Sequence, residues 1–493
     1  MVSLRFAGWG AAALALMTAW HTPAAAAGRC DQMLALLRGS VTDATCVEST
    51  DLTTANPATT PADNSLAGLP PFALTPQTDR ATIAPSPPNR TPITKAVPGL
   101  QIDGRLANDP LGEGRILLRL PDSWNGKLVV AGASGTRSEF NGDFAWSDYV
   151  VQQGYAYVSQ NKGVYNLKLS SSTDPLACRL NPVSTIFVHF YDNDAPEVFT
   201  RWAAVMRAAA VIGRQALEYR YGHKPARTYA VGTSNGGYQV RRAVETAPDL
   251  FDGGVDWEGT YVDPTRGNIL MSLPPALLNY PDYVSSGFNP SSTAAKNILA
   301  AGYPPDIVSG KNSFWTNYWA EFWEVTQCQW QKRLDPTYDT YGAGPANYIY
   351  VDRLSASDVG ANVAAFATTG HIQRPLITVA GTMDALLPIN DQARAYARAV
   401  AAARDEDQDG DETHHAAPAY RLYEVQNGNH IEHYRDTFPQ LELIGPHAQH
   451  AFDLLVGYVE RGQALPADQC IPRGGAITQP AGEPGHCESL FVP

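Results

Sequence analysis

Two spacings of apolar residues alternate along most of the chain. Residues 127–132 (Lys127, Leu128, Val129, Val130, Ala131, Gly132) and 155–159 form short, nearly unbroken apolar runs, the pattern of strands covered on both faces. Residues 114–120 read as a further strand ahead of them. Over 197–221 the positions Phe199, Trp202, Ala203, Val205, Met206 and Ala209 fall on overlapping helical faces. A strand over 227–231 runs into Gly232-Thr233-Ser234-Asn235-Gly236-Gly237, and a helix is predicted over 238–246. Strands are predicted at 251–255, 375–380 and 420–425, the last two flanking a helix over 391–403. An amphipathic helix over 447–461 closes the pattern. Strands alternating with helices imply an α/β class fold with a doubly wound, mostly parallel sheet.

The alternation is absent in two stretches. From 49 to 98 Pro, Thr, Ser and Asn dominate, with Pro70-Pro71 and Pro87-Pro88, so extended backbone over the surface or irregular strands are expected. From 260 to 370 aromatic residues concentrate: Phe314, Trp315, Tyr318, Trp319, Phe322, Trp323 and Trp330. Their spacings of three and four put several on one helical face. That face either packs the insertion onto the core or lines a substrate cleft. Trp315, Trp319 and Trp323 are the candidate substrate-binding rings. The expected organisation is a leader at 1–27, an N-terminal helix and Pro/Thr-rich segment at 28–98, a core at 99–259 and 371–493, and a lid insertion at 260–370.

Composition sharpens this picture. With 44% hydrophobic residues a sizeable core is available, which excludes a disordered or fibrous chain. The net charge of -13, with no long basic run, argues against nucleic acid as partner. The first 27 residues join Arg5, an apolar stretch from Ala7 to Trp20, a break at His21-Thr22-Pro23 and the small residues Ala24 to Ala27. This is the form of a secretory signal cut near Ala27. No later run reaches the ~18 apolar residues of a membrane span, so a secreted or periplasmic protein without a membrane span is expected. Six cysteines in an exported chain suggest disulfides, and none forms a C-x-x-C pair. Among the possible connectivities Cys30–Cys46, Cys178–Cys328 and Cys470–Cys487 are preferred: two local staples and one clip from the insertion to the core.

The densest chemical signal is Gly232-Thr233-Ser234-Asn235-Gly236, a G-x-S-x-G between a strand and a helix. Such a turn holds a serine in strained geometry with its hydroxyl clear of the sheet edge. An alkyl hydroxyl is a weak nucleophile near neutral pH and needs a base, which in turn needs an orienting acid. Both follow at strand ends in the order this arrangement requires: Asp384, four residues past Ala380, and His430, just past the strand over 420–425. Asp256 and Glu258 are the next candidates for the acid, and His433 for the base. The oxyanion donors expected are the backbone N–H groups of Asn235 and of Ala133, in Gly132-Ala133-Ser134-Gly135. Asp405, Asp407, Asp409 and Asp411 match the D-x-D-x-D-G opening of a calcium loop, although Ala416 stands where such a loop needs Glu. A solvated acidic loop and a structural Ca²⁺ site are both open readings. No other cofactor is required, because the triad supplies the chemistry. His430-Ile431-Glu432-His433 is not H-E-x-x-H, which excludes a zincin-type zinc site.

With these residues in view the chain resembles the tannase/feruloyl-esterase group of secreted α/β-hydrolases. The resemblance rests on the N-terminal Cys30 segment, Leu69-Pro70-Pro71-Phe72, Leu120-Pro121-Asp122-Ser123-Trp124-Asn125-Gly126, the Ser234 turn with Phe251-Asp252-Gly253-Gly254 behind it, the insertion, and the Asp384 and His430 loops. It implies an α/β-hydrolase fold, a lid that often holds calcium, and Ser234, Asp384 and His430 as nucleophile, acid and base of a serine ester hydrolase. The expected substrate is a small-molecule or oligomeric ester. Thr233 and Ala385 stand where that group typically carries a pair of bridged cysteines, which points to a divergent relative or to a neighbouring family such as the hydroxyalkanoate oligomer hydrolases. The same triad would serve a peptidase or an acyltransferase, and the fold alone would also suit a non-catalytic binding protein.

Overall fold

The computed structural model describes residues 28–62, 74–135, 138–191, 199–338, 348–410 and 417–493. The expected leader lies outside them. One sheet of eleven strands organises the chain. Its strands are β1 (Val41–Ser49), β2 (Gly99–Leu106), β3 (Arg115–Pro121), β4 (Lys127–Ala131), β5 (Ala156–Gln160), β6 (Arg227–Thr233), β7 (Gly253–Trp257), β8 (Leu376–Gly381), β9 (Tyr420–Val425), β10 (Gln469–Ile471) and β11 (Glu483–Pro484). They lie in the order β1-β2-β3-β5-β4-β6-β7-β8-β9-β10-β11. From β5 to β10 every neighbouring pair is parallel, while β1, β2, β3 and β11 add antiparallel edges. This is the α/β-hydrolase fold, a parallel sheet whose strand ends carry the functional loops.

Side chains leave a strand alternately to its two faces, and the central strands are apolar on both. Leu128, Val130, Val158 and Ala230 face a layer formed by helices α2 (Thr200–Tyr221), α3 (Asn235–Thr246) and α6 (Ala393–Gly410). Val129, Tyr229, Val231, Val255 and Ile377 face the opposite layer, which includes α7 (Gly445–Arg461) with Phe452 and Leu455. The N-terminal part is more regular than its composition suggests: α1 (Arg29–Leu37) leads into β1, which pairs with β2 and so extends the main sheet.

Between β7 and β8 the chain forms the aromatic-rich insertion, mostly helical, including α4 (Ile269–Ser285) and α5 (Glu324–Leu334). A separate three-stranded sheet, Tyr165–Ser170, Phe187–Tyr191 and Cys178–Arg179, lies beside it. The disulfide Cys178–Cys328 joins that sheet to α5, and Cys30–Cys46 and Cys470–Cys487 are also formed, so the three expected pairs are those present. Among the described residues no helix is long and apolar enough to cross a membrane.

Candidate active site

Strand β6 ends at Thr233 and α3 begins at Asn235, leaving Ser234 alone on the turn with φ 60° and ψ -124°. That backbone lies in a region L-residues rarely adopt, and it persists because the surroundings over-determine it. The Ser234 N–H donates to the Trp257 carbonyl at 2.9 Å, while its own carbonyl accepts from Tyr238 at 3.0 Å and Thr260 at 3.2 Å. The crossing is tight. A Cβ on Gly232 would come within 2.4 Å of the Gly236 oxygen, and one on Gly132 within 2.5 Å of that same oxygen. The glycines therefore let the loop after β4, the strand and the helix meet behind the serine.

Asp384 and His430 are brought together by the neighbouring strands. His430 Nδ1 lies 2.8 Å from Asp384 Oδ2, and both side chains are buried. Asp384 Oδ1 accepts the N–H groups of Leu386 at 2.8 Å and Leu387 at 2.7 Å, so the carboxylate is fixed from its own loop. The two loops approach each other through glycine: a Cβ on Gly381 would meet the Gly428 oxygen at 2.3 Å. Ser234, Asn235 and His430 line one cleft of about 250 Å³, together with Ser134 and Gly135.

The other carboxylates separate by role. Asp256 is structural: its Oδ2 accepts from Arg241 Nε at 2.6 Å and from the Thr378 hydroxyl at 2.9 Å. Glu258 instead sits beside His430 and Asp384. Its Oε1 accepts the Gly381 N–H at 2.9 Å, and its Oε2 lies 3.4 Å from His430 Nδ1 with no hydrogen bond of its own. Burial, then the charge of Asp384, pushes the Glu258 carboxyl well above the usual carboxylate range. Glu258, Asp384 and His430 are also the one group among the described residues whose ligand atoms lie close enough together, within 4.8 Å, to hold a metal ion.

Two expectations are corrected. The Ala133 N–H donates to Gln239 Oε1 at 3.0 Å and so is not turned toward a substrate oxygen. Gln239 on α3 ties this loop down, and Lys162 Nζ donates to the carbonyls of Ala133 and Ser134 at 3.1 and 3.2 Å. The Asn235 N–H is the first of α3 and has no intrahelical acceptor. The second correction concerns the rings. Trp315, Trp319 and Trp323 do not line the cleft at Ser234; Phe322 and Trp330 do, beside Leu386, Leu387 and Ile431. Trp315 and Trp323 are packed inside the insertion, and Trp319 stacks on Tyr280 at 5.3 Å. Trp323 Nε1 donates to the Ala385 carbonyl at 2.7 Å, next to Asp384, and the Tyr318 hydroxyl donates to Asn429 Oδ1, next to His430. These rings tie down the Asp384 and His430 loops.

In the acidic stretch Asp405 lies exposed on α6, which runs on to Gly410. The side chains of Asp407 and Asp409, and all of Asp411, lie outside the described residues.

Residues 337–486 match the sequence model of the 3HB-oligomer hydrolase family (3HBOH), a stretch that includes the Asp384 and His430 loops but not Ser234. Curated relatives include D-(-)-3-hydroxybutyrate oligomer hydrolases of Burkholderia thailandensis, 32% identical over 125 residues, and Burkholderia mallei, 30% identical over 125 residues. Each match takes in 24% of this chain, and the chain spans only 16% of the length of each relative. Similar solved structures include feruloyl esterase B from Aspergillus oryzae, at 14% identity and TM-score 0.47 over 88% of this chain and 91% of that one. Tannin acyl hydrolase from Aspergillus niger is similar at 12% identity and TM-score 0.45, over 79% of this chain and 87% of that one.

Proposed function

We propose that this protein is a serine ester hydrolase for small or oligomeric esters, with hydroxyacid oligomers as the favoured class. The observation that carries the reading is one cleft shared by a serine on a strained strand–helix turn and a histidine hydrogen-bonded to a buried aspartate. Ser234 Oγ attacks the ester carbonyl as His430 takes its proton. Asp384, on Nδ1, orients the ring and stabilises the imidazolium. The Asn235 N–H and the positive end of α3 stabilise the developing oxyanion. His430 then protonates the leaving alkoxide, and water releases the acyl group by the reverse sequence. Apolar walls from Phe322, Trp330, Leu386 and Leu387 suit an uncharged acyl chain. The partial matches to oligomer hydrolases support the substrate class.

The expected result is that Ser234→Ala lowers kcat on p-nitrophenyl butyrate by about 10⁶ with an unchanged circular dichroism spectrum. Retained turnover would overturn the reading. Comparing ester with amide substrates, with and without an added alcohol, separates a hydrolase from a peptidase or acyltransferase. Three disulfides support export to an oxidising compartment, secreted or periplasmic. A structural Ca²⁺ in the acidic stretch is proposed as an accessory only; a melting temperature unmoved by excess chelator would reject it.

A further inference from the structure

A second hollow of about 330 Å³ is also lined by His430. It shares Ile83 and His430 with the Ser234 cleft, so both hollows border this histidine. Its far wall comes from the Pro-rich N-terminal segment, with Arg80 and Arg90 flanking Phe144. Both guanidiniums lie over that ring, at 5.0 and 4.0 Å from its centre.

The polar groups of this hollow are incompletely used. Arg80 is 9% exposed; it donates to the Thr60 hydroxyl at 2.8 Å, yet its Nε has no partner. Its nearest carboxylate, Asp143 at 3.8 Å, already accepts Arg119 through both oxygens at 2.7 and 2.9 Å. Arg90 donates from Nε to the Pro85 carbonyl at 2.8 Å and has no carboxylate within ion-pairing distance among the described residues. Asn141 is buried, and its Nδ2 has no partner. The one acid on the lining, Glu432, accepts the N–H groups of Ile444 and Gly445, both at 2.7 Å, and burial pushes it up to about 7. Buried donors without acceptors are costly unless a ligand completes them. Here they surround a cationic hollow on a chain of net charge -13.

Building on the esterase reading, we propose that this hollow is the leaving-group subsite, and that Arg80 and Arg90 bind a carboxylate carried by the alcohol half of the ester. The direction follows from the chemistry. His430 must protonate the leaving oxygen, so the alcohol half lies on its side, and the acyl half lies with Phe322 and Trp330. In a linear hydroxyacid oligomer the free carboxylate is at the end of that alcohol half. The protein would then read the acid end of the chain and cleave at a set distance from it.

The test compares 3-hydroxybutyrate trimer as the free acid with its methyl ester. The wild-type protein is expected to show a KM about tenfold lower for the free acid, the size of one charge-assisted contact. Arg80→Gln and Arg90→Gln should each bring the ratio of the two KM values close to one. Arg90, half-buried at the rim, carries the test should the buried Arg80 variant fail to fold. Equal KM values in the wild type, or a ratio that survives in every variant that folds, would overturn the subsite. If wild-type protein hydrolyses p-nitrophenyl butyrate in that case, the esterase reading stands without it; if no ester is turned over, both fall.

Discussion

At Ser234 a serine holds φ 60° because glycines at 132, 232 and 236 leave space for three backbones to cross. Gly236→Ala would place its Cβ 2.7 Å from the Gly132 carbonyl carbon. The expected outcome is a stability loss of about 1–3 kcal/mol by urea denaturation, with lower kcat. Glu258 makes a finer claim. Burial and then the Asp384 charge hold the Glu258 carboxyl above its usual range, so Asp384→Asn should move it down beside His430. That variant should lose less than the ~10⁴ in kcat of a triad without its acid, and adding Glu258→Gln should remove the remainder. Identical losses in the single and double variants would show that Glu258 has no such role. That Ser234, Asp384 and His430 each follow a strand was legible from the sequence, and one sheet edge gathers those strand ends. Glu258 was visible only as a carboxylate past β7. Its distance to His430 depends on β7, β8 and β9 being consecutive in the sheet. The Ala133 donor failed because nothing in its four-residue loop reveals that Gln239, a hundred residues on, takes its N–H.

At the level of elements, the insertion is hydrogen-bonded to the Asp384 and His430 loops. Trp323 and Tyr318 each hydrogen-bond a residue adjacent to the acid or the base. Trp323→Phe should keep the packing and lose the bond to the Ala385 carbonyl, costing about 1–3 kcal/mol of stability. It should lower kcat more than it changes KM; a change in KM alone would argue for a ring in contact with substrate. Helical spacing correctly grouped the aromatics on shared faces. It could not say which neighbour covers a face, and so Trp315, Trp319 and Trp323 stood where Phe322 and Trp330 belong. The C-terminal tail acts in the same way. After the Cys470–Cys487 bridge, Asn427 Nδ2 donates to the Val492 carbonyl at 2.5 Å, and the Thr382 hydroxyl donates to that of Leu490. The bridge Cys178–Cys328 closes 150 residues, and a double Cys→Ser variant should lose up to about 5 kcal/mol in the chain-entropy account.

Across the whole molecule, buried acids set the pH response. The Glu432 carboxyl, raised from 4.5 to about 7 in the fold, is protonated in both folded and unfolded states below 4.5. Between 4.5 and about 7 only the unfolded state releases its proton, so this contribution to stability is present at low pH and is lost as pH rises through that window. The slope is about 1.4 kcal/mol per pH unit. Urea denaturation at pH 5 and 7 should therefore show a fall to which Glu432 contributes on the order of 2 kcal/mol, and Glu432→Gln should reduce the fall by that amount. At this scale the alternation of strands and helices disclosed the sheet, whereas the edge strand β1 was hidden by the irregular composition that follows it. The central claim is that Ser234 is the nucleophile of an ester hydrolase. Its most direct test is mass spectrometry of the protein after reaction with a fluorophosphonate. The expected result is one adduct on the peptide holding Ser234, formed together with complete loss of p-nitrophenyl butyrate hydrolysis; an unmodified Ser234, or an adduct elsewhere accompanying that loss, would contradict it.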